Sequence, residues 1–127
     1  MIFNIKKYND EDSGWINATL SSYFNLYASD SECKYRKIGK YVQIHGVVKP
    51  KSAIAGSSTD YTIFTLPADY RPSTTMYAVC QGSSKNTWLL KVDATNGNVC
   101  FSRYGTTSTA EAGTSTWLPF DMGFLID

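Results

Sequence analysis

Histidine occurs once, cysteine three times and proline four times in 127 residues, and neither sign of charge dominates. Each scarcity removes a class of function. A structural zinc site needs about four ligands. His45 with Cys33, Cys80 and Cys100, and no CxxC spacing, does not supply that pattern. An odd number of thiols cannot pair completely, so they read as small strand hydrophobes, suited to synthesis in a reducing cytoplasm. Lys plus Arg number 12 against 11 Asp plus Glu, a balance that argues against a phosphate-backbone groove and a nucleic-acid partner. KYRKIGK, Lys34 to Lys40, is the local basic cluster, and alternation along a strand with one solvated face accounts for it. Long apolar runs are also missing. MIFNIKKYNDEDSGW has neither the apolar stretch nor the small-residue cleavage site of a signal peptide, and nothing reads as a membrane span. Serine in a GxSxG elbow and a GxxxxGK phosphate loop are both absent.

What is present is period-two alternation between turn residues, with tyrosine, at nine positions, the commonest aromatic. The chain reads as all-β, an antiparallel jelly-roll-like sandwich. A polar lead or linker, residues 1–14, precedes one head domain, residues 15–127. Strands are expected at Trp15–Leu20, Cys33–Ile38, Tyr41–Val48, Tyr61–Leu66, Thr75–Gln81, Asn86–Asp93 and Asn98–Tyr104, and in the closing TWLPFDMGFLI. Gly39-Lys40 suits a hairpin turn, and the turn containing Asn96-Gly97 supplies residues that adopt positive φ cheaply. Val42, Ile44, Gly46 and Val48 share the face expected to be core. In FTLPADYRP, Pro67 and Pro72 end one strand and delay the next, so Leu66 to Arg71 are expected to form a rigid, non-helical corner. Pro119 belongs on an edge strand or at a bulge. Lys49–Asp60 and Gly105–Ser115 are long polar loops.

Catalytic constellations fail on count or placement. His45 stands in an alternating strand without a nucleophile motif. Asp60, Asp69, Asp93, Glu111 and Asp121 are scattered, and a glycosidase needs two carboxylates roughly 5–10 Å apart. A binding module needs a rigid scaffold with aromatic and polar groups near loop ends, because sugars pack C–H faces on rings and offer hydroxyls to amide, carboxylate or guanidinium partners. Asp60, Tyr61, Tyr77, Asn86, Trp88, Arg103 and Tyr104 fit that description. Trp88 alternates with Leu90 and Val92, which suits the core as well; Trp15 and Trp117 look like core anchors. No metal or cofactor is expected.

YRKIGKYVQIHGVV, IFTLPADYRP, NTWLLKVDATNGNV and TWLPFDMGFL occur in that order. The pattern, from about Trp15 to the end, resembles the C-terminal head (tip) domains of phage and prophage tail-fibre and baseplate receptor-binding proteins of Gram-positive hosts. The resemblance implies a non-enzymatic β-sandwich head, commonly a homotrimer carried on a virion after synthesis in the host cytoplasm. Its implied partners are a host cell-surface saccharide and other phage tail proteins. The motifs are strands and turns, so no ligand-binding residue transfers with them. Other readings of the same residues are a structural docking module of a baseplate, a stand-alone carbohydrate-binding module and a depolymerase with its site between protomers.

Overall fold

Alternation becomes strand from Cys33 onward, whereas the strand expected at Trp15–Leu20 is confined to Ile16–Asn17. The computed structural model describes residues 11–126. Among them the strands are β1 (Ile16–Asn17), β2 (Phe24–Leu26), β3 (Cys33–Ile38), β4 (Tyr41–Pro50), β5 (Ile54–Ala55) and β6 (Tyr61–Thr65). They continue with β7 (Met76–Gln81), β8 (Thr87–Val92), β9 (Asn98–Ser102), β10 (Glu111–Ala112) and β11 (Leu118–Leu125). One sheet runs β1-β3-β4-β11, with β2 also on β4; a second runs β6-β9-β8-β7; β5 and β10 pair separately. Every pairing is antiparallel. In the second sheet β7, β8 and β9 form a meander and β6 returns to the free edge of β9, a Greek key.

The two sheets face each other as a sandwich. Val42, Ile44 and Val48 of β4 are buried, as alternation requires, and meet Trp88, Leu90 and Val92 of β8 and Val99 and Phe101 of β9 in one core. Aromatic contacts cross the interface: Trp88 stands edge-on to Phe120 at 6.2 Å, Phe24 meets Phe101 at 5.7 Å and Tyr35 stacks on Phe64 at 6.0 Å. Ile63 and Phe64 are adjacent yet both buried, because the register of β6 on β9 shifts between Thr62 and Phe64. Pro119 lies in β11, which pairs only with β4 and so is an edge strand, where a missing N–H costs no ladder bond. The thiols are buried or half-buried and unpaired, and desolvation pushes Cys33 up to about 12, Cys80 to about 11 and Cys100 upward, so none is a ready nucleophile at neutral pH.

The proline corner differs from its expected form. Ala68–Tyr70 make one 3-10 turn, closed by Tyr70 N–H donating to the Pro67 carbonyl at 3.0 Å. A single turn fits between two prolines because Pro67 stands outside it, while Arg71, before Pro72, is held extended at φ −89° and ψ 142° and stops propagation. Arg71 then clasps the β8–β9 turn, its Nε donating to the Leu66 carbonyl at 3.1 Å and its Nη1 to that of Thr95 at 3.3 Å. Gly97, at φ +76°, completes the fit, since a side chain there would strike Arg71 and the Leu66 carbonyl.

That turn is held by Asp93, whose Oδ1 accepts from the N–H groups of Thr95 at 2.8 Å and Asn96 at 3.2 Å. The two backbone bonds hold its carboxyl below the ordinary value. A lowered folded-state value means stability that is whole above the unfolded value of about 3.9 and is lost as pH falls through the folded one. Asp93→Asn keeps an acceptor and removes the titration. Its thermal midpoint should fall less than wild type between about pH 5 and pH 2; identical acid limbs would show that Asp93 carries none of the pH dependence.

The described segment enters and leaves at the corner end. Gly39 N–H donates to the Glu11 carbonyl at 2.9 Å, Asp12 bridges to Ile38, and Ile126 N–H donates to the Lys40 carbonyl at 2.8 Å. Residues 11–14 are thereby tied to the β3–β4 hairpin. Strand directions place both long loops at the opposite end.

Candidate functional site

Two loops more than 50 residues apart in sequence meet at that opposite end. The short β5–β10 ladder sets Ala55 against Glu111 and Ile54 against Ala112, and Gly56 N–H donates to the Ala110 carbonyl at 2.7 Å. Arg103 N–H donates to the Ser57 carbonyl at 2.8 Å, and Gly105 N–H to that of Thr87 at 2.8 Å. Trp117 joins them: its N–H donates to Ser83 Oγ at 2.8 Å, and its carbonyl accepts from Ser83 N–H at 3.1 Å. Ser84, Lys85 and Arg103, at φ 56°, 64° and 57°, are the positive-φ non-glycine residues among those described, and all lie at this end. Strained backbone persists where surrounding structure over-determines it, commonly at ligand-binding surfaces.

The loop carrying Lys51 to Asp60 has a shallow cleft on each side. One, of about 180 Å³, is lined by Tyr23 and Tyr61 together with Ser22, Lys51, Ser52 and Ile54. Its two tyrosine rings stand edge to face, 5.2 Å apart at 87°. The other, of about 190 Å³, is lined by Arg103 with Ser57, Ser58, Thr106, Thr107 and Ser108 over glycine backbone. Rings and hydroxyls in the first cleft, and hydroxyls with a guanidinium in the second, are groups that hold polyhydroxylated ligands.

The residues singled out in the sequence divide into four groups. Tyr61 and Arg103 line the two clefts. Trp88 and Tyr104 are buried and touch no solvent-borne ligand; Trp88, 1% exposed, packs on Phe101 at 5.3 Å. Tyr104 instead supports the loops, its hydroxyl accepting from Asn86 Nδ2 at 3.2 Å while Asn86 Nδ2 also reaches the Ser83 carbonyl at 3.2 Å. Asn86 is therefore a brace. Asp60 and Tyr77 lie with Lys91 on the outer face of the second sheet, where Lys91 Nζ donates to Asp60 Oδ2 at 2.9 Å and stands opposite Tyr77 in register. The Asp60 bond, foremost, raises the Lys91 value.

Trp15 and Trp117 are not the core anchors expected, at 39% and 42% exposed. Trp15 lies on the outer face of the first sheet, with Lys34 Nζ 4.8 Å and the Arg36 guanidinium 4.5 Å from its ring centre. Tyr23 and Lys51 were not singled out in the sequence. Tyr23 precedes a three-residue strand too short to show periodicity, and Lys51 meets it only because Lys51 N–H donates to the Tyr23 carbonyl at 2.8 Å.

Two of the scattered carboxylates do converge, Asp60 at 2.9 Å and Asp93 at 3.8 Å from Lys91 Nζ. The cation lies between them, and Asp93 is held below the ordinary carboxyl value, the wrong direction for a general acid. His45 Nδ1 and Asp121 Oδ1 are 2.7 Å apart on the first sheet's outer face, and the other neighbour of His45 in register is Lys34, so no nucleophile completes a triad there. No group of three or more His, Cys, Asp or Glu able to hold a metal ion occurs among the described residues. No protein-family model matches the sequence, and no curated protein matches it.

Proposed function

We propose that this chain is a non-catalytic head domain of a phage or prophage tail fibre or baseplate, binding a host cell-surface saccharide through the loops at the end of the sandwich remote from residues 11 and 126. The observation that carries the reading is the joining of the two long polar loops into one surface with a tyrosine-lined cleft and a hydroxyl-lined cleft. The motif order in the sequence supplies the phage context. Shallow clefts give weak single sites, and several copies on one particle raise the effective concentration without new contacts.

The test uses labelled protein on cell-wall preparations from Gram-positive bacteria, treated separately with periodate, which cleaves vicinal diols, and with protease. Binding should survive protease and be lost after periodate, and Tyr61→Ala should weaken it about tenfold, the value of a lost aromatic contact. Binding that survives periodate and is lost to protease would sink the saccharide reading.

One observation favours a second reading, docking to other tail proteins or to copies of itself. On the outer face of β7, Tyr77 and Val79 are 59% and 76% exposed, with Leu89 opposite Val79 in register. Light scattering at several concentrations tests the self-association: a mass of about three chains supports a cyclic trimer, and a monomer throughout removes it.

A further inference from the structure

The chain's three arginines differ in what their guanidinium groups do. Arg36 donates to Gln43 and lies against Trp15, and Arg71 donates to two backbone carbonyls. Arg103 makes no side-chain hydrogen bond or ion pair among the described residues, and the ion pairs there belong to Lys34, Lys37, His45 and Lys91. Its backbone is fixed nonetheless, by the N–H bond to Ser57 and at φ 57°, a conformation that L-residues rarely adopt. The cleft beside it is lined by Ser, Thr and Gly and contains no carboxylate. An exposed cation on a fixed backbone, with five unused donors and no counter-charge among small hydroxyls, is suited to a planar or tetrahedral oxyanion.

We infer that the Arg103 cleft takes the acidic group, a carboxylate or a phosphate, of an acidic saccharide, so that the ligand class of the proposed site is anionic rather than neutral. This rests on the saccharide-binding reading and narrows it. Arg103 supplies paired N–H donors to two oxygens of the acid, while Ser58, Thr106 and Ser108 offer hydroxyls to the third oxygen or to the adjoining sugar. Glycine would relieve the backbone at position 103 and provide none of this.

The experiment is an amide NMR titration of the whole chain with four probes: glucuronate, glucose 1-phosphate, inorganic phosphate and glucose. At least one of the two acidic sugars should shift the amides of Ser57, Ser58 and residues 103–108 and bind about tenfold tighter than glucose; comparison of the two identifies the acid. Arg103→Gln should abolish the shifts, and Arg103→Lys should retain part of them as a point charge. Arg103→Gly provides the control for folding, since it should raise the thermal midpoint while losing the response. Equal binding of glucose, inorganic phosphate as tight as either acidic sugar, no response to the acidic sugars into the tens of millimolar, or an unchanged response in Arg103→Gln would each overturn the inference. Periodate-sensitive wall binding that persists in Arg103→Gln would leave the saccharide reading standing and remove the acidic ligand alone.

Discussion

Trp88→Ala should lower the free energy of unfolding by about 3–5 kcal/mol, as large-to-small changes at buried aromatics do. A domain of this size is held by roughly 5–15 kcal/mol, so the variant should unfold at much lower urea and lie close to the limit of folding at 37 °C. The position earns this magnitude because the indole is fully buried and shared between the sheets, against Phe101 of its own sheet and Phe120 of the other. Its Nε1 has no hydrogen-bond partner. Trp88→Phe therefore removes volume and an unpartnered donor together, and should recover more than half of the loss. Urea titrations of the three proteins decide the matter: a loss under about 1 kcal/mol in Trp88→Ala would mean that the ring is not the wedge between the sheets.

That prediction draws on what the sequence carries openly. Trp88, Leu90 and Val92 alternate with Thr87, Leu89 and Lys91, and the structure buries the first set. Both hairpins, β3–β4 and β8–β9, follow from period two and local turn residues, because their partners are near in sequence. The loop end was not legible in the same way. β5 and β10 are two residues each, too short for any period, and their pairing depends on a separation of more than 50 residues. The left-handed Arg103 and the register shift in β6 likewise arise from tertiary packing rather than from local preference. Trp15 misled for a related reason: an aromatic beside a strand resembles a core anchor until the basic residues of the neighbouring strand are seen to flank its ring.

Gly56→Ala should separate the two loops and leave the sandwich intact. An added methyl would strike the Tyr104 carbonyl oxygen and stand 2.9 Å from that of Thr107 and 3.2 Å from that of Ala110. All three obstacles are backbone, so no rotamer change makes room, and relief requires the loop of Gly56 to move away from residues 104–110. Such movement breaks the Gly56-to-Ala110 and Arg103-to-Ser57 bonds, each worth roughly 1 kcal/mol, for a local cost of about 2–3 kcal/mol. The cost falls on a segment that opens separately from the core. Amide exchange at residue 56, Arg103 and Ala112 should therefore accelerate about 30- to 150-fold while Leu90 and Phe101 keep their protection. Saccharide binding should weaken by about tenfold or more in the same variant, because both clefts border the displaced loop. If exchange accelerates and binding does not change, the loops are joined for a reason other than ligand capture and the surface must be sought on the faces of the sheets. If neither changes, residues 104–110 accommodate the methyl, and the close approach at Gly56 does not hold the loop end together.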